Sequence, residues 1–182
     1  MASRMTFSST EIEGVVIVES QPHHDERGFF ARTFCEHEFA AHGLNTRWVQ
    51  HNHSLSLTAG TLRGLHYQAA PHAEIKLVRC LSGRVWDVVV DLRRGSSTFG
   101  RWEAHELSES TMRALYIPAG CAHGFQCLTD SCQLFYLMSE FYESTCSTGV
   151  RWDDPVLAIQ WPLPPQHISP RDQALPLLKD IA

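Results

Sequence analysis

The segment "EIKLVRCLSGRVWDVVVDL", residues 74–92, decides the fold class. It contains two short runs rich in Val, Leu and Trp, and Ser and Gly separate them, which is typical of β-strands ended by turns. In the second run, Trp86 and Val88 alternate with Asp87 and Asp91. This alternation predicts a strand with one face in a core and the other face partly polar.

Runs of the same kind lie on both sides of this segment, at regular spacing. They are "GVVIVES", "RGFFARTF", "RWVQHNHSLS", "TLRGLHYQ", "RWEAHELS", "RALYIP", "GFQCLTD" and "CQLFYLMSEFY". Only residues 36–43, which we expect to end at Gly43, and residues 169–180, which open with a capping pattern, have helical character. About ten strands predict an all-β jelly roll or barrel with short helices, as a single domain over residues 1–182. Small barrels of this kind bind ligands in their interior.

Composition excludes several classes of protein. The formal net charge of -5 argues against general binding to nucleic acid or to anionic membranes. The first twenty residues lack a signal-peptide pattern, and no apolar run approaches the roughly 20 residues of a membrane helix. The six cysteines include no CxxC pair, so we interpret them as reduced thiols and expect a cytoplasmic protein.

Histidines and a glutamate suggest one possible chemistry, a metal site. His66, His72 and Glu74 lie close together in sequence, and His123 is the histidine of "IPAGCAHGF", a turn typical of cupin barrels. Such ligands would suit Fe, Mn, Ni or Zn. The spacing weakens this interpretation, because a cupin metal site usually begins with two histidines separated by one residue. Here Pro71 also breaks the strand between the two histidines, so an exposed loop histidine is favoured for His72.

Acid–base chemistry is the second possibility, and it uses other residues. His66 lies near Arg63 and Lys76 in sequence, and histidine is a competent base near neutral pH. A lysine near a substrate oxygen would stabilise an enolate, although Lys76 is equally consistent with a surface strand position. A carboxylate such as Asp172 would orient the imidazole, but "SPRD" also fits a helix cap, and composition alone favours the cap.

Two tyrosines complete the acid–base interpretation. Strand alternation places Tyr136 on the face of Leu134 and Met138, where a tyrosine is more often a core residue with a bonded hydroxyl. In a cavity, Tyr136 would instead donate a proton. Tyr142 follows six residues later and is suited to stacking on a planar ring.

The chain resembles the dTDP-4-dehydrorhamnose 3,5-epimerase family of nucleotide-sugar epimerases. The matching pieces stand in family order over roughly residues 10 to 175: "DERGFF", "VQHNHS", "GTLRGLHYQ", "EIKLVRCLSGRVWDVVVDLRRGSSTFGRWE", "YIPAGCAHGF", "FYLMSEFY" and "GVRWDDPVLAIQWP". The resemblance implies a cupin jelly roll, a homodimer, no metal and no redox cofactor. It also implies removal of a proton next to the C4 ketone of a nucleotide-linked 4-keto-6-deoxyhexose.

The resemblance implies roles for single residues as well. His66 matches the catalytic base, Asp172 its partner carboxylate, Lys76 the cation near the keto oxygen and Tyr136 the acid on the opposite face. Tyr142 matches the aromatic residue that stacks on the nucleotide base. Positions that line the nucleotide-sugar site are matched by Arg27, Gln50, Asn52, Arg63 and His123.

The sequence departs from the family pattern at three positions. Arg32 and Ser147 stand where the family often has acids, and Leu137 replaces a lysine after the tyrosine. These changes leave open the nucleotide base and whether C3, C5 or both are inverted. The alternatives are an epimerase for one carbon or another nucleotide, a 3,4-ketoisomerase, a metal-dependent cupin, and a sugar-binding module without activity.

Overall fold

The computed structural model describes residues 5–181, which are mostly β-strand. The strands are β1 Met5–Ser9, β2 Val16–Ser20, β3 His23–Asp25, β4 Gly28–Phe30, β5 Gln50–Ser56, β6 Leu62–Gln68, β7 Lys76–Ser82, β8 Arg84–Asp91, β9 Trp102–Ser108, β10 Arg113–Ile117, β11 Cys121–Cys127, β12 Cys132–Met138 and β13 Ser147–Gly149. The helices are α1 Glu36–Ala41, α2 Pro170–Gln173 and α3 Leu178–Ile181. The predicted all-β class with short helices is confirmed.

Two antiparallel sheets face each other and form the jelly roll. One has six strands in the order β1-β2-β10-β7-β12-β5, and the other has five in the order β13-β6-β11-β8-β9. The neighbouring strands β10, β7 and β12, and likewise β6, β11 and β8, are far from consecutive in sequence, so hydrogen bonds tie together distant parts of the chain. The short β3–β4 hairpin stands apart from both sheets.

Apolar side chains fill three layers. The central layer lies between the sheets and includes Val78, Val89, Leu115 and Phe125. A second layer lies on the outer face of the five-stranded sheet. There Leu65, Val88 and Val90 pack against Leu157 and Leu178 of the C-terminal segment. A third layer packs helix α1 and its flanking aromatic residues on the outer face of the six-stranded sheet.

Strand β8 corrects the expectation of a half-polar strand. Val88 and Val90 pack in the outer layer, whereas Asp87, Val89 and Asp91 point inward and are fully buried. Alternation is therefore present, but both faces are covered because the C-terminal segment packs over the outer face. The odd-numbered acids are interior residues with specific partners.

Two other expectations about local structure are refined. Helix α1 ends close to Gly43, as predicted, and Gly43 has the positive φ of +69° that glycine adopts easily. Residues 169–180 form two short helices, because Pro176 lacks the N–H that a continuous helix needs. Over residues 5–181, no helix has the length and apolar character required to cross a membrane.

Candidate active site

A cavity opens at one end of the jelly roll and receives side chains from both sheets. It encloses about 270 Å³ and is bounded by strands β5, β6, β7, β11 and β12. Eight of the ten predicted site residues line it, and seven of these lie on strands: Gln50, Asn52, Arg63, His66, Lys76, His123 and Tyr136. A second hollow of about 610 Å³ adjoins it and shares Arg63 and His66. Most of the predicted site is therefore gathered around one space.

His66 and Asp172 form a close pair beside this cavity. The Nε2 atom of His66 lies 2.7 Å from Asp172 Oδ1, and the other carboxylate oxygen accepts a hydrogen bond of 3.0 Å from the backbone N–H of Gly64. The histidine side chain is about one-third exposed, whereas the carboxylate is buried at 5%. One ring nitrogen is thus held by the carboxylate, and the other remains available to a ligand.

The electrostatics of Asp172 favour its ionised form. Burial acts to raise the pKa of the carboxyl, but the hydrogen bond and the charge of His66, with the Gly64 N–H, outweigh burial and hold the pKa below its usual range. The predicted helix cap is also present, because Ser169 Oγ accepts the backbone N–H of Asp172 at 3.1 Å. The cap uses the backbone and the pair uses the side chain, so the two interpretations are compatible.

Lys76 is buried, which removes the surface-lysine interpretation. Its side chain is 7% exposed, and Nζ lies 3.0 Å from Glu74 Oε1, itself 7% exposed. Nζ also donates a hydrogen bond of 2.8 Å to the backbone oxygen of His66. An ammonium group has three donors, so these contacts leave a third N–H for a ligand in the cavity.

Tyr136 faces the cavity from the six-stranded sheet, opposite His66 on the five-stranded sheet. It shares its face with Leu134 and Met138, as predicted, and its hydroxyl lies 3.1 Å from Ser54 Oγ. Burial raises the pKa of Tyr136 well above its usual range, and the hydrogen bond with Ser54 only partly opposes this. The phenol therefore stays protonated at neutral pH and is able to donate a proton.

His123 belongs to a second buried histidine–carboxylate pair, which the sequence did not reveal. Its Nε2 lies 2.9 Å and 3.0 Å from the two oxygens of Asp87, and the Asp87 side chain has no exposure. His123 is the register partner of His66 across β11 and β6, so the two pairs are neighbours. The sequence feature that could have revealed this pair is Asp87 in the valine-rich run of β8. The sequence analysis assigned Asp87 to the partly polar face of the strand.

The remaining predicted residues line the rim of the cavity. Arg63 donates to Ser56 Oγ at 3.0 Å and to the backbone oxygen of Leu55 at 3.1 Å, which fixes its guanidinium at the boundary of the two hollows. Gln50 Nε2 donates to Asn52 Oδ1 at 3.2 Å. Tyr142 lines the cavity with 55% of its surface exposed, an orientation suited to stacking.

Arg27 is the predicted residue that the chain does not bring to either hollow. It lies on the exposed β3–β4 hairpin, where its guanidinium is bound to Asp25 of the same hairpin. Arg32, one of the departures from the family pattern, pairs with Glu38 at 3.0 Å and also lies away from the two hollows.

The other departures have different surroundings. Ser147 lines the cavity and accepts a hydrogen bond of 2.7 Å from Arg171 Nη2, so a neutral hydroxyl meets this guanidinium. Leu137 packs in the outer layer with helix α1 and points away from the cavity. Of the departures, Ser147 is the one that changes the charge of the site.

No metal-binding group emerges among residues 5–181, where no three His, Cys, Asp or Glu side chains come together suitably. The ring of His72 lies 4.0 Å from Glu140, whereas Nε2 of His66 is bonded to Asp172. The carboxylate of Glu74 forms an ion pair with Lys76. The prediction that the protein needs no metal stays a prediction, and metal content of the purified protein checks it.

The fold and the cavity define a class: a cupin-type jelly roll whose interior holds a histidine–carboxylate pair, a buried lysine and a protonated tyrosine, the groups needed to move protons. Residues 9–180 match the family model described as dTDP-4-dehydrorhamnose 3,5-epimerase. The chain therefore belongs to this family of carbohydrate epimerases, which are isomerases.

Individual relatives agree with the family model. A dTDP-4-dehydrorhamnose 3,5-epimerase of Shigella flexneri is 44% identical over 92% of this chain and 93% of its own length. The Legionella pneumophila epimerase solved with dTDP-4-keto-L-rhamnose has a TM-score of 0.92 at 40% identity and covers 98% of this chain and 95% of its own. A 3'-monoepimerase from Streptomyces bikiniensis, solved with dTDP-quinovose, has a TM-score of 0.88 at 37% identity, covering 93% of this chain and 86% of its own.

Proposed function

We propose that this protein inverts C3 and C5 of a dTDP-linked 4-keto-6-deoxyhexose, converting dTDP-4-dehydro-6-deoxy-D-glucose into dTDP-4-dehydro-L-rhamnose. His66 removes the proton next to the C4 ketone, and the electron pair of the C–H bond forms an enolate. Tyr136 then returns a proton to the same carbon on the opposite face, which inverts it. Proton transfer leaves the oxidation state unchanged, so the reaction requires no redox cofactor.

The observation that carries the proposal is the relation of His66 to Asp172. The short contact of 2.7 Å between Nε2 and the ionised carboxylate orients the ring and stabilises the imidazolium that forms when the base takes a proton. Tyr136 reaches the same cavity from the other sheet, as inversion demands of an acid and a base.

Lys76 provides the second requirement, stabilisation of the enolate. A C–H bond next to a ketone is too weak an acid for histidine unless positive charge or a hydrogen-bond donor meets the developing oxyanion. The ammonium group is buried beside His66 and keeps one donor for the ligand. Arg63 at the rim is suited to the diphosphate, since guanidinium binds phosphate oxygens in a bidentate way.

Solvent-deuterium incorporation tests the proposal. The protein is incubated with dTDP-4-keto-6-deoxyglucose in heavy water, and carbons 3 and 5 are observed by NMR; we expect exchange at both. His66→Ala should abolish exchange while dTDP still binds, because base and nucleotide contacts use different residues. Absence of exchange with every nucleotide sugar tested would refute the enzyme assignment, and exchange by His66→Ala at the wild-type rate would refute its role.

A second candidate is inversion at C3 alone. The observation that favours it is the similarity to the Streptomyces bikiniensis 3'-monoepimerase, at 37% identity over most of both chains. The same deuterium experiment separates the two candidates, because a monoepimerase exchanges C3 and leaves C5 protonated in the released product.

We further propose that the protein is a homodimer in which the β3–β4 hairpin of each copy reaches the cavity of the other. The hairpin exposes Phe29 at 60% and Phe30 at 78%, which is costly in water unless a partner covers these rings. An apolar hollow on the outer sheet face adjoins Phe29 and contains Arg79, whose buried Nε lacks a hydrogen-bond partner within the described chain. A second copy would cover this face and bring Arg27 to the diphosphate.

The proposal extends to the compartment. All six cysteines are free thiols, and four of them are buried. Free thiols persist in reducing compartments, so we propose that the protein acts in the cytoplasm. We also propose that the chain is a single domain and that its partner there is a small-molecule nucleotide sugar.

A further inference from the structure

One buried side chain, Gln68, joins strand β6 to two loops beside the cavity. Gln68 is 2% exposed and lies two residues after His66, on the same face of the strand. Its amide nitrogen donates to the backbone oxygens of His72 at 3.0 Å and Phe141 at 3.1 Å. Its amide oxygen accepts the backbone N–H of Glu143 at 2.7 Å. All of these bonds reach backbone atoms, so they position whole loop segments.

The loop of residues 139–146 carries Tyr142. The backbone N–H of Tyr142 donates to Gln50 Oε1 at 3.2 Å, and Gln68 holds the residue on each side of it. Because more than half of the Tyr142 surface is exposed, side-chain packing holds the ring weakly. Hydrogen bonds to Ile75 and Ala69 fix the two ends of this loop. Next to Tyr142, at residues 141–143, the backbone is held by the three bonds to Gln50 and Gln68, and Gln68 makes two of them.

We propose that Gln68 is a positioning residue, which sets the distance between the ring of Tyr142 and the base His66. The inference rests on the proposed function, because it takes the planar ring of a nucleotide as the ligand of Tyr142. A nucleotide sugar is flexible between its two ends, so a fixed spacing of the two contacts reduces the entropy lost on binding. Loss of Gln68 should therefore weaken nucleotide binding more than it slows proton transfer.

Gln126 offers a matched control within the chain. It is fully buried on β11 and also bonds a distant backbone on both sides, donating to the oxygen of Leu163 at 2.8 Å and accepting its N–H at 3.0 Å. It holds the C-terminal segment and does not line the cavity. Replacing each glutamine by methionine removes a buried amide of the same size and the same kind of bonding.

The experiment compares Gln68→Met with Gln126→Met. Calorimetry with dTDP gives Kd, and assays with the nucleotide sugar give KM and kcat. We expect Gln68→Met to raise Kd and KM about tenfold, as for the loss of one well-made polar contact. Its kcat should stay within about threefold of wild type, because saturating substrate still reaches His66. Gln126→Met should lower Tm without changing Kd or KM.

A double-mutant cycle distinguishes positioning of Tyr142 from a general effect. In a Tyr142→Ala background, Gln68→Met should raise the Kd for dTDP by less than about twofold, because the ring that it positions is gone. If Gln68→Met does not fold, Gln68→Glu replaces it with the same expected direction, since it keeps the acceptor for Glu143 and loses both donors.

Specific outcomes overturn the inference. They are a wild-type Kd and KM in the folded Gln68 variant, an equal rise in the Gln126 variant, full additivity with Tyr142→Ala, or a wild-type protein that does not bind dTDP. A wild-type protein that binds dTDP but catalyses no exchange would refute the proposed reaction. Because Kd is measured without turnover, the role of Gln68 would still be decided in that case.

Discussion

Asp172 is held by groups from two parts of the chain, the start of α2 and strand β6. Its backbone N–H meets Ser169 at the start of α2, and its carboxylate oxygens meet His66 and the N–H of Gly64. Helix formation thus places the carboxylate, and the carboxylate then orients the base. One residue therefore connects helix α2 to strand β6 of the five-stranded sheet.

This arrangement predicts a pH-dependent contribution to stability. Because the folded-state pKa of Asp172 is lowered, ionisation stabilises the native state above the unfolded carboxyl pKa of about 3.9, and this contribution is lost as the pH falls towards the folded value. We expect Asp172→Asn to reduce the free energy of unfolding by about 1–3 kcal/mol at pH 6. Urea unfolding at pH 6 and at lower pH should show the difference from wild type shrinking; a constant difference would contradict the prediction.

Tyr136 leads to a prediction about the acid. Tyr136→Phe keeps the ring but removes the only group of the side chain that donates a proton, so epimerised product should fall by about 10²-fold or more. Deuterium exchange should fall less, because the enolate still forms and regains a proton from the side of His66. Tyr116→Phe is the control, since that buried hydroxyl accepts the N–H of Asn45 away from the cavity. Equal loss of exchange and of product in Tyr136→Phe would argue against an acid role.

At the scale of elements, the contact of β6 with β11 is unusually close. A Cβ on Gly124 would lie 2.7 Å from the backbone oxygen of Arg63 and 3.0 Å from the Cα of Gly64. The register also shifts between His123 and Phe125, next to this point. Strand separation here sets how His66 and His123 stand relative to each other, because backbone atoms have little room to adjust.

Gly124→Ala should therefore destabilise the fold and disturb the site together. Overpacking of this kind costs about 1–3 kcal/mol, and we expect lower kcat because β6 moves with His66. Gly43→Ala is the comparison: its Cβ would meet no atom within 4 Å, so it carries only the strain of a positive φ, about 1 kcal/mol, and should keep full activity. Chemical unfolding and the exchange assay measure both variants; unchanged activity in a folded Gly124→Ala would contradict the prediction.

Most strand positions were predictable because the spacing of β-branched and aromatic residues is a local property, although β1, β3 and β13 were not predicted. Which strand faces are buried could not be predicted, because the residues that bury the outer face of β8 come from the segment 150–181, far away in sequence. For the same reason Asp87 was assigned to the wrong environment and its pairing with His123 was missed. Resemblance pointed to His66, Lys76, His123 and Tyr136 as expected site residues. The contacts of Lys76 with Glu74, of His123 with Asp87 and of Tyr136 with Ser54 emerge only from the three-dimensional structure.

For the whole molecule, the proposed homodimer, in which Arg27 serves the partner's cavity, predicts complementation between inactive variants. His66→Ala and Arg27→Ala should each lose most activity alone. When the two are mixed and allowed to exchange subunits, half of the dimers are mixed and each mixed dimer has one intact site, so about a quarter of wild-type activity should return. Phe30→Asp should yield monomers in size-exclusion chromatography. No recovery in a mixture shown to exchange subunits would place Arg27 outside the partner's site.

The division of the site between sheet and loops has an evolutionary consequence. The proposed proton-transfer groups lie on central strands or bond directly to them, where a change disturbs the packing of the whole barrel. Of the groups proposed to meet the nucleotide, Arg27 lies on the exposed β3–β4 hairpin and Tyr142 on a loop, where exchange of side chains is tolerated. Proteins that evolve from such a fold can change their nucleotide-sugar specificity by substitutions at the surface and still keep the same proton-transfer reaction. Directed evolution of this protein towards other nucleotide sugars should therefore begin at Arg27, Ser147 and Tyr142.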